Sequence, residues 1–515
     1  GSMMAVTLIL VAIVCVLLAR WLKKRQQHFQ QWQNMGIPGP PTHWLAGNFY
    51  EINYRPGRAD PIKTRDEWIK KYGKVVGFFN GYRPFLLVAD LDLLKQIFIK
   101  ESNNFINRHG VNPRSKMLVS LNDQHWKDVR RIITPIFSTA KIKKMMPLVQ
   151  NCTQNFIDKC LEMSKAEKEF NIYEILQCLT LDVIDQCALA LNLNCIKNPK
   201  NKVLVLIRHA FRNLFPRAMA GIYILPELVL LFIPFFIFSP FRKAQRVCIE
   251  NIKNVIQKRK NNPELQAHQD ALQLLMDASE DIDGKITRLT EMEVVENAFM
   301  FLIAGYETTS NALAYAFHLL SLHEDVQELV WQELTDVLND PMATVTYEDL
   351  GKMKYTEAVI LETMRLYPPI PFFVSRITSS KWSYNGLTIP AGTVVEAPVW
   401  SIHHDPEIYP EPKKFKPERF LPEERASRHS LSHLPFGAGP RNCIGLRFAL
   451  LEAKLTLALT VQKFIIKPAK CTKDPLPTIA NGPLMNPKDG VWVTLQSRTS
   501  DKQMEGNKNR ETNDE

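Results

Sequence analysis

Apolar and polar positions recur with different periods along this chain, and the periods divide it into parts. Residues 4–22, MAVTLILVAIVCVLLARWL, have no polar face, and only Arg20 interrupts them near the end. About 20 apolar residues cross a bilayer core, so this run is just long enough. Arg20, Lys23, Lys24 and Arg25 flank its C-terminal end, and no basic residue precedes it. Basic flanks stay on the cytoplasmic side, which predicts an uncleaved, single-pass anchor over 3–22 with the body facing the cytosol. A cleaved signal peptide would carry its basic residues ahead of the run and a small-residue site after it. Gly1 and Ser2 read as a cloning remnant. Residues 23–41 form a basic linker ending in the stiff hinge GIPGPP (36–41), where prolines fix φ and forbid a helix.

Beyond the hinge the period shortens to that of strands. KVVGFFNGYRPFLLVAD (74–90) places two β-rich runs about Asn80-Gly81, a hairpin signal. A second β region is expected from Trp382 to Val395. Most of the remainder follows the helical period without internal repeats or long linkers. The expectation is a mainly α body with a small β lobe, one catalytic domain over 42–497, and a polar, loose tail over 498–515. The apolar segment 218–241 is broken by Pro226, Pro234, Pro240 and Glu227, with Arg242 and Lys243 at its edge. It fits a surface flap dipping into lipid headgroups, and equally a buried core helix.

Composition narrows the class. The net charge of +11 is spread without a compact Lys/Arg tract, so it suits a membrane surface or an acidic protein partner, not nucleic acid. Nine cysteines with no CxxC spacing argue against structural zinc and a disulfide scaffold, and for a reducing compartment. One of them stands apart. Cys443 lies in LPFGAGPRNCIG (434–445), where Gly437, Gly439 and Gly445 imply unusual dihedrals or close approach by something bulky.

Two further segments carry candidate chemistry. Thr290 and Glu293 have capping-box spacing at the head of a helix that would run about 50 Å. In its middle, Ala304, Gly305, Glu307, Thr308 and Thr309 suggest a flat groove for a large ligand, or a close helix crossing. Glu362 and Arg365 share a helix face at i, i+3. Arg419 in FKPERFLPE could bring a second guanidinium to the same carboxylate, which would hold the segment leading to Cys443.

FGAGPRNCIG, AGYETT, ETMR and PERF, in this order and at these separations, resemble a cytochrome P450. GPRNCIG and AGYETT, with NRHG and HWKDVRR earlier, are similar to the drug- and steroid-metabolising family three group and to thromboxane synthase. The resemblance covers nearly the whole chain after the hinge. It implies haem b, with Cys443 as the thiolate ligand of its iron and Phe436 in the same loop. Trp126, Arg130, Arg376, Arg441 and Arg108 would hold the propionates, Arg376 after a one-residue offset in YPPIPFFVSR. Phe301, Ile303, Ala304 and Ile370 would line the substrate pocket, and Thr308 with Glu307 would deliver protons. Glu362, Arg365 and Arg419 would form the structural network.

The activity so implied is a monooxygenase of the endoplasmic reticulum membrane. It would insert one atom of O₂ into lipophilic xenobiotics, steroids or fatty acids, with NADPH electrons arriving through a flavoprotein reductase and cytochrome b5 as a further donor. The chain has no dinucleotide or flavin fingerprint, so the reductase is a separate protein. Lys127, Arg131, Lys141, Lys143 and Lys144 would give it a basic docking face. The alternative is an isomerase of the thromboxane-synthase type, which needs no reductase and toward which GAGPR and LLEAKLTL lean; Thr308 leans the other way. A haem-binding sensor without turnover is the third reading.

Overall fold

The computed structural model describes residues 2–53, 60–109, 115–189, 191–213, 220–266, 270–278, 289–340 and 343–498. The tail expected over 498–515 therefore lies, but for Arg498, outside the described residues.

The body is mainly helical, with small sheets at its margins, as the periodicity predicts. Its axis is the Glu291–Leu322 helix, 32 residues long. The expected capping box starts it: Thr290 N–H donates to Glu293 Oε2 at 2.8 Å, and Glu293 N–H to Thr290 Oγ1 at 3.3 Å. Tyr306, Leu313, Ala314, Tyr315, Phe317 and Leu320 are all buried along it, so it runs through the core and not over the surface. The Ile172–Ala188, Lys354–Leu366 and Leu446–Lys463 helices pack around it.

The Asn80-Gly81 hairpin forms in the expected register, from Val75 opposite Val88 to Asn80 opposite Arg83. Gly81 is left-handed at φ +66°, and a Cβ there would stand 2.1 Å from the Tyr223 carbonyl oxygen. This turn needs glycine twice over. The hairpin extends into a four-stranded sheet through Val394–Glu396 and Ser375–Ile377. Trp382–Tyr384 and Leu387–Ile389 make a separate hairpin, within the second expected β region. The strands after residue 463 have no counterpart in the expectations: Phe464–Pro468 pairs with Trp492–Ser497, and Thr478–Asn481 with Leu484–Pro487.

At the N-terminus one helix, Met3–Phe29, is long and apolar enough to cross a membrane. It continues seven residues past the expected anchor, because nothing in KKRQQHF stops a helix. Arg25 in that extension is 2% exposed, and its guanidinium reaches the Leu45 and Ile224 carbonyls. The segment expected as a flap is a pair of short helices, Ala220–Ile224 and Val229–Ile237, joined by a turn at Pro226–Leu228. Leu230, Leu231, Phe235 and Phe238 are 76%, 65%, 56% and 80% exposed. The buried-helix alternative does not hold, since these apolar side chains stand in the open instead of in the core.

Candidate functional site

The loop from Leu434 to Gly445 folds back on itself. Gly437 and Gly439 are left-handed, at φ +68° and +69°, and a Cβ on Gly439 would meet the Phe98 carbonyl oxygen at 2.0 Å. Cys443 N–H donates to the Phe436 carbonyl at 2.8 Å, and Asn442 N–H to that of Gly439 at 3.0 Å. The turn so closed presents the Cys443 thiol at the head of the Leu446–Lys463 helix. By area the thiol is accessible, yet protein surrounds it densely enough that desolvation is the largest influence on its pKa and raises it. The Gly445 N–H, Arg130 and Arg108 pull the other way, as groups that stabilise a thiolate should.

Four guanidiniums converge on this loop. Arg130 donates to the carbonyl and the side-chain oxygen of Asn442, both at 3.0 Å. Arg108 reaches the Arg441 carbonyl at 2.7 Å, Arg376 that of Ala438 at 2.8 Å, and Arg441 that of Leu121 at 2.6 Å. Trp126 stacks on Arg441 at 4.2 Å. Among the described residues none of the four has a carboxylate within ion-pair distance. Burial, then mutual repulsion, pulls Arg441 down to about 9 and Arg376 well below its ordinary value; in Arg108, burial is what brings the pKa to about 10. Nε of Arg108 and Nε and Nη1 of Arg441 are buried without a partner. Desolvated cations with spare donors are costly unless anions meet them. They fit the two carboxylates of a haem beside an axial thiolate.

On the central helix, Thr308 Oγ1 donates to the Ala304 carbonyl at 2.6 Å, and both residues keep accessible area in an otherwise buried stretch. Ile303 and Ile370 are half-buried against the main hydrophobic core, while Phe301 is buried against Phe137. A Cβ on Gly305 would stand 3.0 Å from Ile184 Cδ1, so this glycine serves a close helix crossing. Glu307 is not brought to Thr308. Its buried carboxylate accepts from Tyr173 at 2.6 Å, Asn486 at 2.7 Å and Gln177 at 3.3 Å, and burial raises its pKa.

Glu362 and Arg365, both fully buried, pair through two bonds of 2.6 and 2.7 Å. Arg419 Nε lies 3.5 Å from the same carboxylate, while its Nη2 is turned to the Pro410 and Glu411 carbonyls. A connection that sequence reasoning missed runs on from here. Arg365 Nη1 donates to the His403 carbonyl at 2.8 Å, and His403 Nε2 accepts the Leu434 N–H at 2.8 Å. The ion pair is thereby tied to the first residue of the cysteine loop. His403 also stacks on His433, whose Nε2 meets the Leu361 carbonyl at 3.0 Å. Asn442, Tyr173 and Asn486 were missed as well; only an acceptor next to Cys443 would have signalled the first.

A mostly helical body crossed by one long helix, with a cysteine held in a glycine loop beside guanidiniums that no carboxylate meets among the described residues, defines a haem-thiolate protein. The cytochrome P450 family model matches residues 37–493. Cytochrome P450 3A31 of Mesocricetus auratus is 33% identical, covering 96% of this chain and 97% of its own length. Cytochrome P450 3A6 of Oryctolagus cuniculus is 34% identical, covering 90% and 92%. Lithocholate 6-beta-hydroxylase of Mesocricetus auratus is 32% identical over the same shares. The chain belongs to the cytochrome P450 family. It is a monooxygenase with haem b as cofactor, using O₂ and NADPH-derived electrons through a reductase.

Proposed function

We propose that this chain is a membrane-anchored monooxygenase of lipophilic xenobiotics and steroids, held in the endoplasmic reticulum with its catalytic body in the cytosol. The observation that carries the reading is the set of unpaired guanidiniums around a glycine-held cysteine. Cys443 would hold the haem iron through its thiolate, with Phe436 in the same loop, and Trp126, Arg130, Arg376, Arg441 and Arg108 would receive the propionates. Bound there, haem b supplies the reductive activation of O₂, with thiolate donation favouring O–O cleavage. The Thr308 hydroxyl, parked on the Ala304 carbonyl, holds and passes protons on the substrate side. Glu307 replenishes them when its carboxyl leaves Tyr173 and Asn486. Phe301, Ile303, Ala304 and Ile370 border the substrate.

The membrane supplies the substrate side. Trp21 Nε1 meets Glu227 at 3.4 Å, so the anchor and the exposed apolar flap lie together and face the same bilayer. The reductase, and cytochrome b5 with it, docks on the cysteine side through the patch of Lys127, Arg131, Lys141, Lys143 and Lys144. Lys143 pairs with Glu348 and Arg131 lies 3.6 Å from Asp128, which leaves the patch weaker than its charges alone suggest.

The test is incubation with reductase, NADPH, ¹⁸O₂ and a steroid such as testosterone. One labelled oxygen in the product is expected. An isomerase of the thromboxane-synthase type would turn over an endoperoxide without NADPH and incorporate no label.

A further inference from the structure

Four basic residues flank the end of the apolar run, and the structure treats them differently. Arg20, Lys23 and Lys24 are exposed, as charges beside a bilayer should be, whereas Arg25 is 2% exposed. A guanidinium so placed gives up water and lipid phosphate together, which is costly unless the protein returns its bonds. Here they come from several directions. Nε and Nη2 donate to the Leu45 carbonyl at 3.2 and 2.5 Å, and Nη2 also reaches the Ile224 carbonyl on the flap. Nη1 faces Glu227 Oε1 at 3.5 Å. The guanidinium carbon lies 5.0 Å from the Trp21 ring, 5.4 Å from that of Phe29 and 4.9 Å from that of Tyr82. At these distances an aromatic face attracts a cation.

The residues after Arg25 extend the seam. His28 stacks on Tyr82 at 4.0 Å and 19°, with Nε2 2.6 Å from the Tyr82 carbonyl. Phe29 meets Phe79 edge-on at 5.0 Å, and Trp32 Nε1 donates to the Phe78 carbonyl at 3.1 Å. Trp32 also covers Gly77, where a Cβ would stand 2.5 Å from Trp32 Cγ. The Tyr82 N–H donates to the Tyr223 carbonyl at 2.8 Å, which joins the hairpin to the flap. Arg25 stands about 5 Å along the unbroken helix from Leu22, where the expected anchor ends. The body is therefore fastened within one helical turn of the bilayer, ahead of the proline segment.

We propose that Arg25 is a positioning residue that rivets the anchor helix to the flap and the hairpin, so that the flap meets the bilayer at one depth and angle and takes up lipid-borne substrate there. Ile224 ends the first flap helix and Glu227 lies in the turn that follows it. One side chain thus decides how the flap stands against the helix that spans the membrane. Lys23 and Lys24, exposed on the same turn, keep the role of meeting lipid phosphates. The proposal rests on the membrane-anchored reading and puts a rigid joint where a loose tether would keep the body at the surface.

The experiment uses the full chain with haem in phosphatidylcholine. Amide hydrogen exchange over residues 23–34 is read in nanodiscs, and haem tilt by polarised absorption in oriented bilayers. Arg25→Ala should speed that exchange about tenfold or more, the scale of a lost hydrogen bond to a charged group, and broaden the tilt. Arg25→Lys keeps the charge, but a single ammonium on a shorter reach does not bridge Leu45 and Ile224, so it should behave like Ala. His28→Ala should reproduce part of the change. Testosterone dissolved in the lipid should bind Arg25→Ala about threefold more weakly by its spin-state shift, the effect of leaving a third of the molecules competent. In detergent micelles, without a bilayer, the two proteins should bind it alike. Unchanged exchange and tilt in Arg25→Ala overturn the proposal. Full recovery by Arg25→Lys does so too, by making Arg25 an ordinary flanking charge. Equal losses of affinity in bilayer and micelle also overturn it, since Arg25 would then serve the fold and not its orientation. A wild type that separates from lipid on flotation sinks the anchored reading itself; one that stays with lipid while Arg25→Ala changes nothing sinks this proposal alone.

Discussion

Replacing His403 by Phe tests whether the Glu362–Arg365 pair holds the cysteine loop through a side chain. The ring volume and the stack on His433, at 5.1 Å and 22°, are kept. What goes is Nε2, which among the described residues is the sole acceptor of the Leu434 N–H, at 2.8 Å. A buried N–H left without a partner costs about 1–3 kcal/mol. His403 Nδ1 is itself buried and unpartnered, so removing it returns part of that cost. A net weakening of about 1–2 kcal/mol is about 5- to 30-fold in the equilibrium between seated and released loop. The assay is the ferrous–CO spectrum in rising urea, where the thiolate-bound form converts to a form with a shorter-wavelength Soret band. The Phe variant should convert at lower urea and show a changed Fe–S stretch by resonance Raman. His403→Gln carries an acceptor near the lost nitrogen and should recover much of the difference. If Phe and Gln behave alike, or Phe converts with wild type, the link through His403 does not position the loop.

Other outcomes follow from the same geometry. Thr308→Ala should keep haem content and substrate binding while NADPH electrons go to hydrogen peroxide, with coupling down by about 10²-fold, the usual scale of a lost proton donor; undiminished coupling would place the donor elsewhere. Asp at both Phe235 and Phe238, which are exposed on the flap, should release an anchor-deleted form from liposomes, and unchanged flotation would remove the flap from the bilayer. Burial raises Asp185 to about 7, against the backbone N–H groups of Leu193, Leu191 and Asn192, which favour its charged form. The native state therefore keeps a proton that the unfolded chain loses near pH 4, so stability should fall as pH rises from about 4 to 7. Asp185→Asn should flatten that slope in urea melts, and an unchanged slope would assign it to other groups.

The loop around Cys443 was legible because its demands are local: a left-handed turn pressed against Phe98 admits only glycine, and glycine shows in the sequence. The capping box and the Asn-Gly hairpin are legible for the same reason. Glu307 shows where local reading stops. It adjoins Thr308 in sequence, but successive side chains on a helix point about 100° apart, and three partners from distant segments hold its carboxylate. The His403–Leu434 bond spans 31 residues and has no periodic signature. Nor does Arg25, which reads as a membrane-flanking charge and is buried by contacts with Leu45 and Ile224. The late strands carry signals that sequence reasoning missed: Asn481-Gly482 joins Thr478–Asn481 to Leu484–Pro487 as Asn80-Gly81 joins the first hairpin, and Trp492–Ser497 alternates in burial.

The central claim, that Cys443 is the thiolate ligand of the haem, is tested most directly by the ferrous–CO spectrum of the purified full chain and its Cys443→His variant. The wild type should show the strongly red-shifted Soret band of thiolate ligation, and the variant should bind haem without it. A variant that retains the band would mean that another cysteine holds the iron.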